Sequence, residues 1–207
     1  MNKLSDLVCA PACRGRPREF CVDDALAKAL RVFWEKGYEG TSLNDLTEAM
    51  GITRPSLYAA FGNKEALFRK ALDLYETEKM HYVGSALTEP TARRVAETML
   101  RGAVENVSSS EDPHGCLRVI ASVACGEEAQ SIRDEVLERG KVVHQSIVER
   151  FERAKVEGDL PAQVDVLGLT DLLKALVQGI SIQAGQGASR AELDRLVDTG
   201  LMMWPSA

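Results

Sequence analysis

Residues 40–68 constrain the fold of this chain more than any other stretch, because they write out two short helices and the turn between them. Ser42 can cap the first helix, and Asp45 three residues later completes an S-x-x-D capping box. Leu43, Leu46 and Met50 then recur at helical spacing, with Ala49 beside them. Gly51 stands where a helix ends in a left-handed residue, and Ile52 gives the turn an apolar anchor. Thr53 is a good N-cap for the second helix, and Pro55 falls in its first turn, where a missing N–H costs nothing. Leu57 and Phe61 face inward with Ala60 alongside, which leaves Pro55, Ser56, Tyr58 and Ala59 pointing outward and Arg54 flanking them. A second helix with such an N-terminal end suits the major groove of DNA.

The segment from Gly51 to Phe61, followed by Gly62-Asn63-Lys64-Glu65-Ala66-Leu67-Phe68, resembles the recognition segment of the TetR/AcrR family of transcriptional regulators. Ala25 to Ser42 is similar to that family's first helix and its Gly-Tyr-x-x-Thr-Ser turn. The resemblance spans roughly residues 20–75. It departs at Ala60, where members often carry His, so any contact made through that His is absent. The resemblance implies an all-α protein: a three-helix helix-turn-helix domain followed by a helical bundle for dimerisation and ligand binding. The expected boundaries are a disordered basic arm over 1–19, the DNA-binding domain over 20–64 and the effector and dimerisation domain over 65–207, joined by a connecting helix over 64–81. On the positions that match, Thr41, Ser42, Thr53, Arg54, Pro55, Ser56, Tyr58, Ala59 and Lys64 are the expected DNA contacts. Lys64, in the first turn of a helix with free backbone N–H groups, is placed to hold a phosphate.

Net charge is −6, which at first argues against nucleic acid. The distribution matters more: residues 1–75 carry 11 basic and 10 acidic side chains, and residues 76–207 carry 14 and 21. The acid therefore belongs to the second domain. The near-neutral first domain must gain its affinity from placed contacts and from dimerisation. Arg14-Gly15-Arg16-Pro17-Arg18 resembles the core of an AT-hook, and Arg16 and Arg18 are candidates for the minor groove.

Beyond residue 75, helical patterns run over about 91–108, 116–125, 129–157, 165–185 and from Ser189 to the C-terminal end. The last two are apolar on a wider stripe than one core needs. Leu173, Val177, Ile180, Leu193, Leu196, Val197, Leu201 and Trp204 are the expected dimer contacts. A homodimer is expected on geometry, since two recognition helices must sit about one DNA turn, ~34 Å, apart to read a palindromic operator. Residues about 85–207 should also hold a small-molecule effector. Its candidate lining is Met99, Ala103, Asn106, Cys116, Ile120, Val143, His144, Ile147, Phe151, Leu172, Leu176 and Gln178, although no motif names the ligand.

Cys116, just inside a predicted helix N-terminus, is the sharpest single residue, because a helix dipole there favours thiolate. Gly115-Cys116-Leu117 resembles a TetR-type subgroup that includes electrophile or redox sensors, so a sensor acting through Cys116 is the alternative reading. The odd count of cysteines (Cys9, Cys13, Cys21, Cys116 and Cys125) argues against a disulfide framework, and their spacing does not suit structural zinc. There is no Walker loop, no strand-linked G-x-G-x-x-G, no H-E-x-x-H and no G-x-S-x-G, so neither catalysis nor a cofactor is expected. No apolar run approaches the ~18 residues that span a membrane, and a cytoplasmic location is expected.

Overall fold

The computed structural model describes residues 20–109, 112–123 and 126–205, and these residues are helical with no strand among them. The basic arm with Arg16 and Arg18, and Cys9, Cys13 and Cys125, lie outside the described residues. Helix α1 covers Val22–Gly40, α2 Leu43–Met50, α3 Arg54–Phe61 and α4 Lys64–Lys79. Then follow α5 His81–Leu87, α6 Ala92–Val107, α7 Leu117–Ser122, α8 Gln130–Val156, α9 Val166–Gly185 and α10 Arg190–Met202. None is long and apolar enough to cross a membrane.

Local chemistry fixes the boundaries. Ser42 caps α2 by accepting from the Asp45 N–H at 3.1 Å, while the Asp45 carboxylate accepts from the Ser42 N–H at 2.8 Å. Gly51 closes α2 at φ 68°, a conformation that glycine adopts without a Cβ penalty. Thr53, Asn63, Thr91 and Ser189 cap α3, α4, α6 and α10 in the same way. Inside α1, Gly37 leaves helical geometry at φ 70°. A Cβ there would also meet Ile120 Cγ2 at 3.3 Å, so glycine suits both the backbone and the packing.

Two cores form. The first joins α1–α4 around Phe33, Trp34, Leu46, Leu57, Leu67, Phe68 and Tyr75. Phe68 meets Phe33 edge-on at 5.0 Å and Tyr38 at 5.3 Å. This core does not stop at residue 64: it takes in α4, α7 through Leu117 and Ala121, and the start of α8 through Ile132 and Val136. The second packs α6, the far half of α8, α9 and α10, with Leu100, Phe151, Leu173, Ile180 and Val197 inside it.

The connecting helix expected over 64–81 is α4, Lys64–Lys79, and it ends at Met80. Met80 leaves helical geometry at φ −112°, ψ 13°, and a new helix starts at His81. No glycine or proline marks this break. The Met80 N–H still reaches the Glu76 carbonyl at 3.1 Å and its own carbonyl accepts from Val83 at 3.0 Å, so the chain turns without orphaning a backbone group.

Candidate DNA interface and effector cavity

The outer face of α3 is built by the caps at its two ends. Thr53 accepts from the Ser56 N–H at 3.3 Å, and the two hydroxyls lie 2.9 Å apart. Leu57 and Phe61 are buried, which turns Thr53, Arg54, Pro55, Tyr58 and Ala59 to solvent and leaves Ser56 half-buried beneath them. Tyr58 is 47% exposed, an unusual position for an aromatic ring that has no neighbour to cover it. Arg54 donates from Nη2 to Asn44 Oδ1 at 2.7 Å, so its guanidinium is aimed by α2 before any partner arrives. Lys64 opens α4 one turn beyond and stands over the Tyr38 ring at 4.4 Å. Ser42 is exposed on the neighbouring helix end.

Thr41 is a correction to the expected set. It is 1% exposed, and its hydroxyl donates inward to the Gly37 carbonyl at 2.6 Å. Its side chain locks the end of α1 and does not face outward.

The second feature is a cavity of about 160 Å³ between α5, α6, α7, α8 and α9. Met99, Ala103, Asn106, Cys116, Val143, His144, Ile147 and Gln178 line it, as do Leu173 and Val177 from the expected dimer set. The remaining candidates lie elsewhere, for identifiable reasons. Ile120 packs against Gly37 and the first core. Phe151 is fully buried against the Trp204 ring at 5.8 Å. Leu172 is exposed on the outer side of α9, and Leu176 Cδ1 sits 3.2 Å from where a Gly200 Cβ would stand. A helix of apolar residues shows its period but not which neighbour each side meets, and α9 has neighbours on several sides.

Sequence reasoning passed over Tyr82, Arg118, Thr170, Lys174 and Ser181, which also line the cavity. A signal for three of the lining residues was available. Thr170, Lys174 and Gln178 are four apart on a helix that is otherwise nearly all apolar.

A hydrogen-bonded chain joins the cavity wall to α4, the helix that Lys64 opens. Asn106 Nδ2 on α6 donates to the Tyr75 hydroxyl at 3.0 Å, and Tyr75 on α4 donates to Cys116 Sγ at 3.2 Å. Burial, and after it the adjacent Cys116, push the Tyr75 phenol well above its ordinary pKa, so it acts as a neutral donor. Trp34 packs edge-on against Tyr75 at 4.8 Å and donates from Nε1 to the Gly115 carbonyl at 3.0 Å. Cys116 stands at the capping position of a six-residue helix, one residue outside the predicted place, and is 9% exposed. Farther out, α4 is tied to α8 by ion pairs. Arg69 meets Glu65 at 2.6 Å and Glu135 at 2.5 Å, while Arg139 meets Asp73 and Glu76 at 2.7 Å and Glu135 at 2.6 Å. Burial opposes the Arg139 charge, and its bonds to Asp73, Glu76 and Glu135 outweigh that, holding the guanidinium protonated.

The expected dimer contacts are mostly internal. Leu173, Ile180, Leu193, Val197, Leu201 and Trp204 are buried within the single chain, and Val177 and Leu196 are half-buried. The apolar side chains that α9 and the end of α10 leave outside are Leu167, Leu172, Ile182, Met202 and Met203.

Comparison with known proteins agrees with this architecture. Residues 25–71, the span from α1 into α4, match the bacterial regulatory proteins of the tetR family. The HTH-type transcriptional repressor ComR of Escherichia coli (strain K12) is 34% identical over 199 residues, covering 95% of each chain. The repressor BdcR of the same organism is 26% identical, covering 86% of each. Among solved structures, a cysteine mutant of the TetR family transcriptional regulator CifR, complexed with 26 bp double-strand operator DNA, superposes with a TM-score of 0.87. It is 40% identical, and the match covers 92% of this chain and 100% of that one. The helix-turn-helix, the all-helical second unit and these relatives together place the chain in the TetR family of transcriptional regulators.

Proposed function

We propose that the protein is a homodimeric, cytoplasmic repressor that sets α3 in the major groove of a palindromic operator and releases it when a small molecule fills the cavity. The observation that carries this reading is the joint placement of an exposed Thr53–Arg54–Tyr58 face and a cavity whose wall reaches α4 through Asn106, Tyr75 and Cys116. Lys64 at the start of α4 would take a phosphate, and Tyr58 and Pro55 would lie against the backbone or the thymine methyls. A ligand larger than the cavity would press α7 and α8 outward and turn α4, changing the distance between the two recognition helices. Operator affinity and ligand affinity are then linked by one coupling free energy, which acts equally in both directions.

Dimerisation through the outward sides of α9 and α10 supports the half-site argument. Leu172 and Ile182 leave apolar surface exposed on α9, and Met202 and Met203 extend it at the end of α10. Sedimentation of the protein with an operator fragment tests this. Two chains per palindrome are expected, and one chain bound with full affinity would refute it.

A second reading is favoured by one specific observation: the Cys116 thiol lines the cavity and accepts the Tyr75 hydroxyl. An α,β-unsaturated carbonyl compound admitted there would take the sulfur at its β-carbon and the thiol proton at its α-carbon, so that S–H and C=C are exchanged for S–C and C–H, and the added bulk would displace Tyr75. Cys116→Ser should then abolish release by such a reagent. A response equal to wild type refutes this reading and leaves non-covalent release as the mechanism.

A further inference from the structure

The cavity has a polarity that its domain lacks. Residues 76–207 carry 21 acidic side chains against 14 basic ones, yet no Asp or Glu lines the cavity among the described residues. Its ionisable lining includes Arg118, His144 and Lys174. Arg118 is already engaged with Glu76 at 3.4 Å, and His144 Nε2 lies 3.0 Å from Asp171. Lys174 has no ion-pair partner within 4.0 Å among the described residues; it lines the cavity and is itself exposed to solvent.

One turn deeper, Thr170 is 0% exposed and its hydroxyl has no hydrogen-bond partner. A helical threonine or serine often bonds the carbonyl three or four residues back, as Thr47 and Ser181 do here. Thr170 forgoes that bond while facing a cavity, and Gln178 continues its stripe on the other side of Lys174. A buried hydroxyl left unmatched is costly, so its retention here marks a place for an external partner. The apolar part of the wall includes Met99, Ala103, Val143 and Ile147.

We infer that the effector is a small apolar monocarboxylate, its carboxylate held by Thr170 and Lys174 on α9 and its apolar body packed against Met99, Ala103 and Ile147. This rests on the cavity being the effector site. The size agrees, since a closed cavity of roughly 150 Å³ holds a benzene ring. Lys174 is exposed to solvent, so a charged group held by it stays partly hydrated.

Calorimetric titration of the full-length protein with benzoate, benzyl alcohol and benzylamine at pH 7.5 tests the assignment, because the three share a ring and differ in charge. Benzoate should bind at least about tenfold tighter than the alcohol, the ratio expected for one charge-assisted hydrogen bond, and the amine should bind weakest. Lys174→Gln should bring benzoate down to the level of the alcohol, and Lys174→Glu should reverse the order of benzoate and benzylamine. Lys174 is exposed, so neither change threatens folding. The inference is overturned if the amine or the alcohol binds as well as benzoate, if Lys174→Gln leaves benzoate affinity unchanged, or if none of the three binds at millimolar concentration. Operator release is followed separately by DNA mobility shift. Charge-selective binding without release would uphold the ligand class and sink the switch, whereas release by the amine in place of benzoate would do the reverse.

Discussion

Thr170→Val should make the protein more stable, although it removes a polar group from a candidate binding site. Valine has nearly the shape of threonine, so one methyl is kept and only the hydroxyl is exchanged for a second methyl. That hydroxyl is fully buried and unpartnered, and burying an unpaired hydroxyl costs ~1–3 kcal/mol by mutational measure. α9 is also helical throughout this turn, where valine is a marginally poorer helix former, a loss of only a few tenths of a kcal/mol. The net expectation is a gain of ~1–2 kcal/mol. For a chain of this length each kcal/mol raises the melting temperature by roughly 2–4 °C. Urea unfolding and calorimetry at matched protein concentration would read it, the matching being necessary because dimerisation, if it occurs, would itself shift stability. A variant destabilised by more than ~0.5 kcal/mol would refute the reasoning, because it would show that the hydroxyl is satisfied in solution and that the cavity is not held open to a partner at that point.

The remaining predictions concern other parts of the molecule. Arg54→Ala should relax sequence preference at one operator position by ~1–3 kcal/mol, read by competition with single-base operator variants; a uniform loss over all sequences would assign Arg54 to phosphate alone. Lys64→Ala should weaken binding evenly and lower the slope of log affinity against log salt by about one per chain, and an unchanged slope would remove Lys64 from the phosphate contacts. The hydrogen bond from Lys36 Nζ (2.5 Å), and after it those from Ser42, hold the Asp45 carboxyl far below the usual carboxylate range. A depressed folded-state value means that its contribution is fully present above the unfolded value of ~4 and fades as pH falls below it. Asp45→Asn should thus cost stability at pH 7, and the gap from wild type should narrow below about pH 4; a gap independent of pH would contradict the assignment. Ile182→Glu should yield monomers that lose operator binding yet keep their helical spectrum, whereas Leu193→Ala, a change inside one chain's core, should cost ~2–5 kcal/mol of stability. Monomers from neither or from both would contradict the assignment of the outer faces.

Legibility in the sequence followed the range of the interaction. Ser42, Gly51, Thr53 and Asn63 bound their helices where the sequence places them, because a cap is chemistry between residues two or three apart. Thr41 was misassigned because its hydroxyl bonds Gly37 only after the chain has turned at that glycine. The end of α4 at Met80 carries no breaker residue, so it has no local signal, and the α5 that follows it packs against α6 and α8. Leu173 and Leu193 read as an interface because an apolar stripe shows that burial occurs without showing which surface does the burying. The Thr170–Lys174–Gln178 stripe was visible in principle, since three polar residues four apart on an apolar helix mark one wet side. What could not be read was that this side faces a cavity.

The central claim is that the outer face of α3, with the start of α4, is the surface that holds DNA. A fluorescence-anisotropy titration tests it directly, using a palindromic fragment selected from genomic DNA by the wild-type protein. Wild type should bind as two chains per fragment. The Tyr58→Ala, Lys64→Ala double variant, with its helical spectrum and melting temperature retained, should bind at least tenfold more weakly. A folded double variant that binds the same fragment with wild-type affinity would contradict the account.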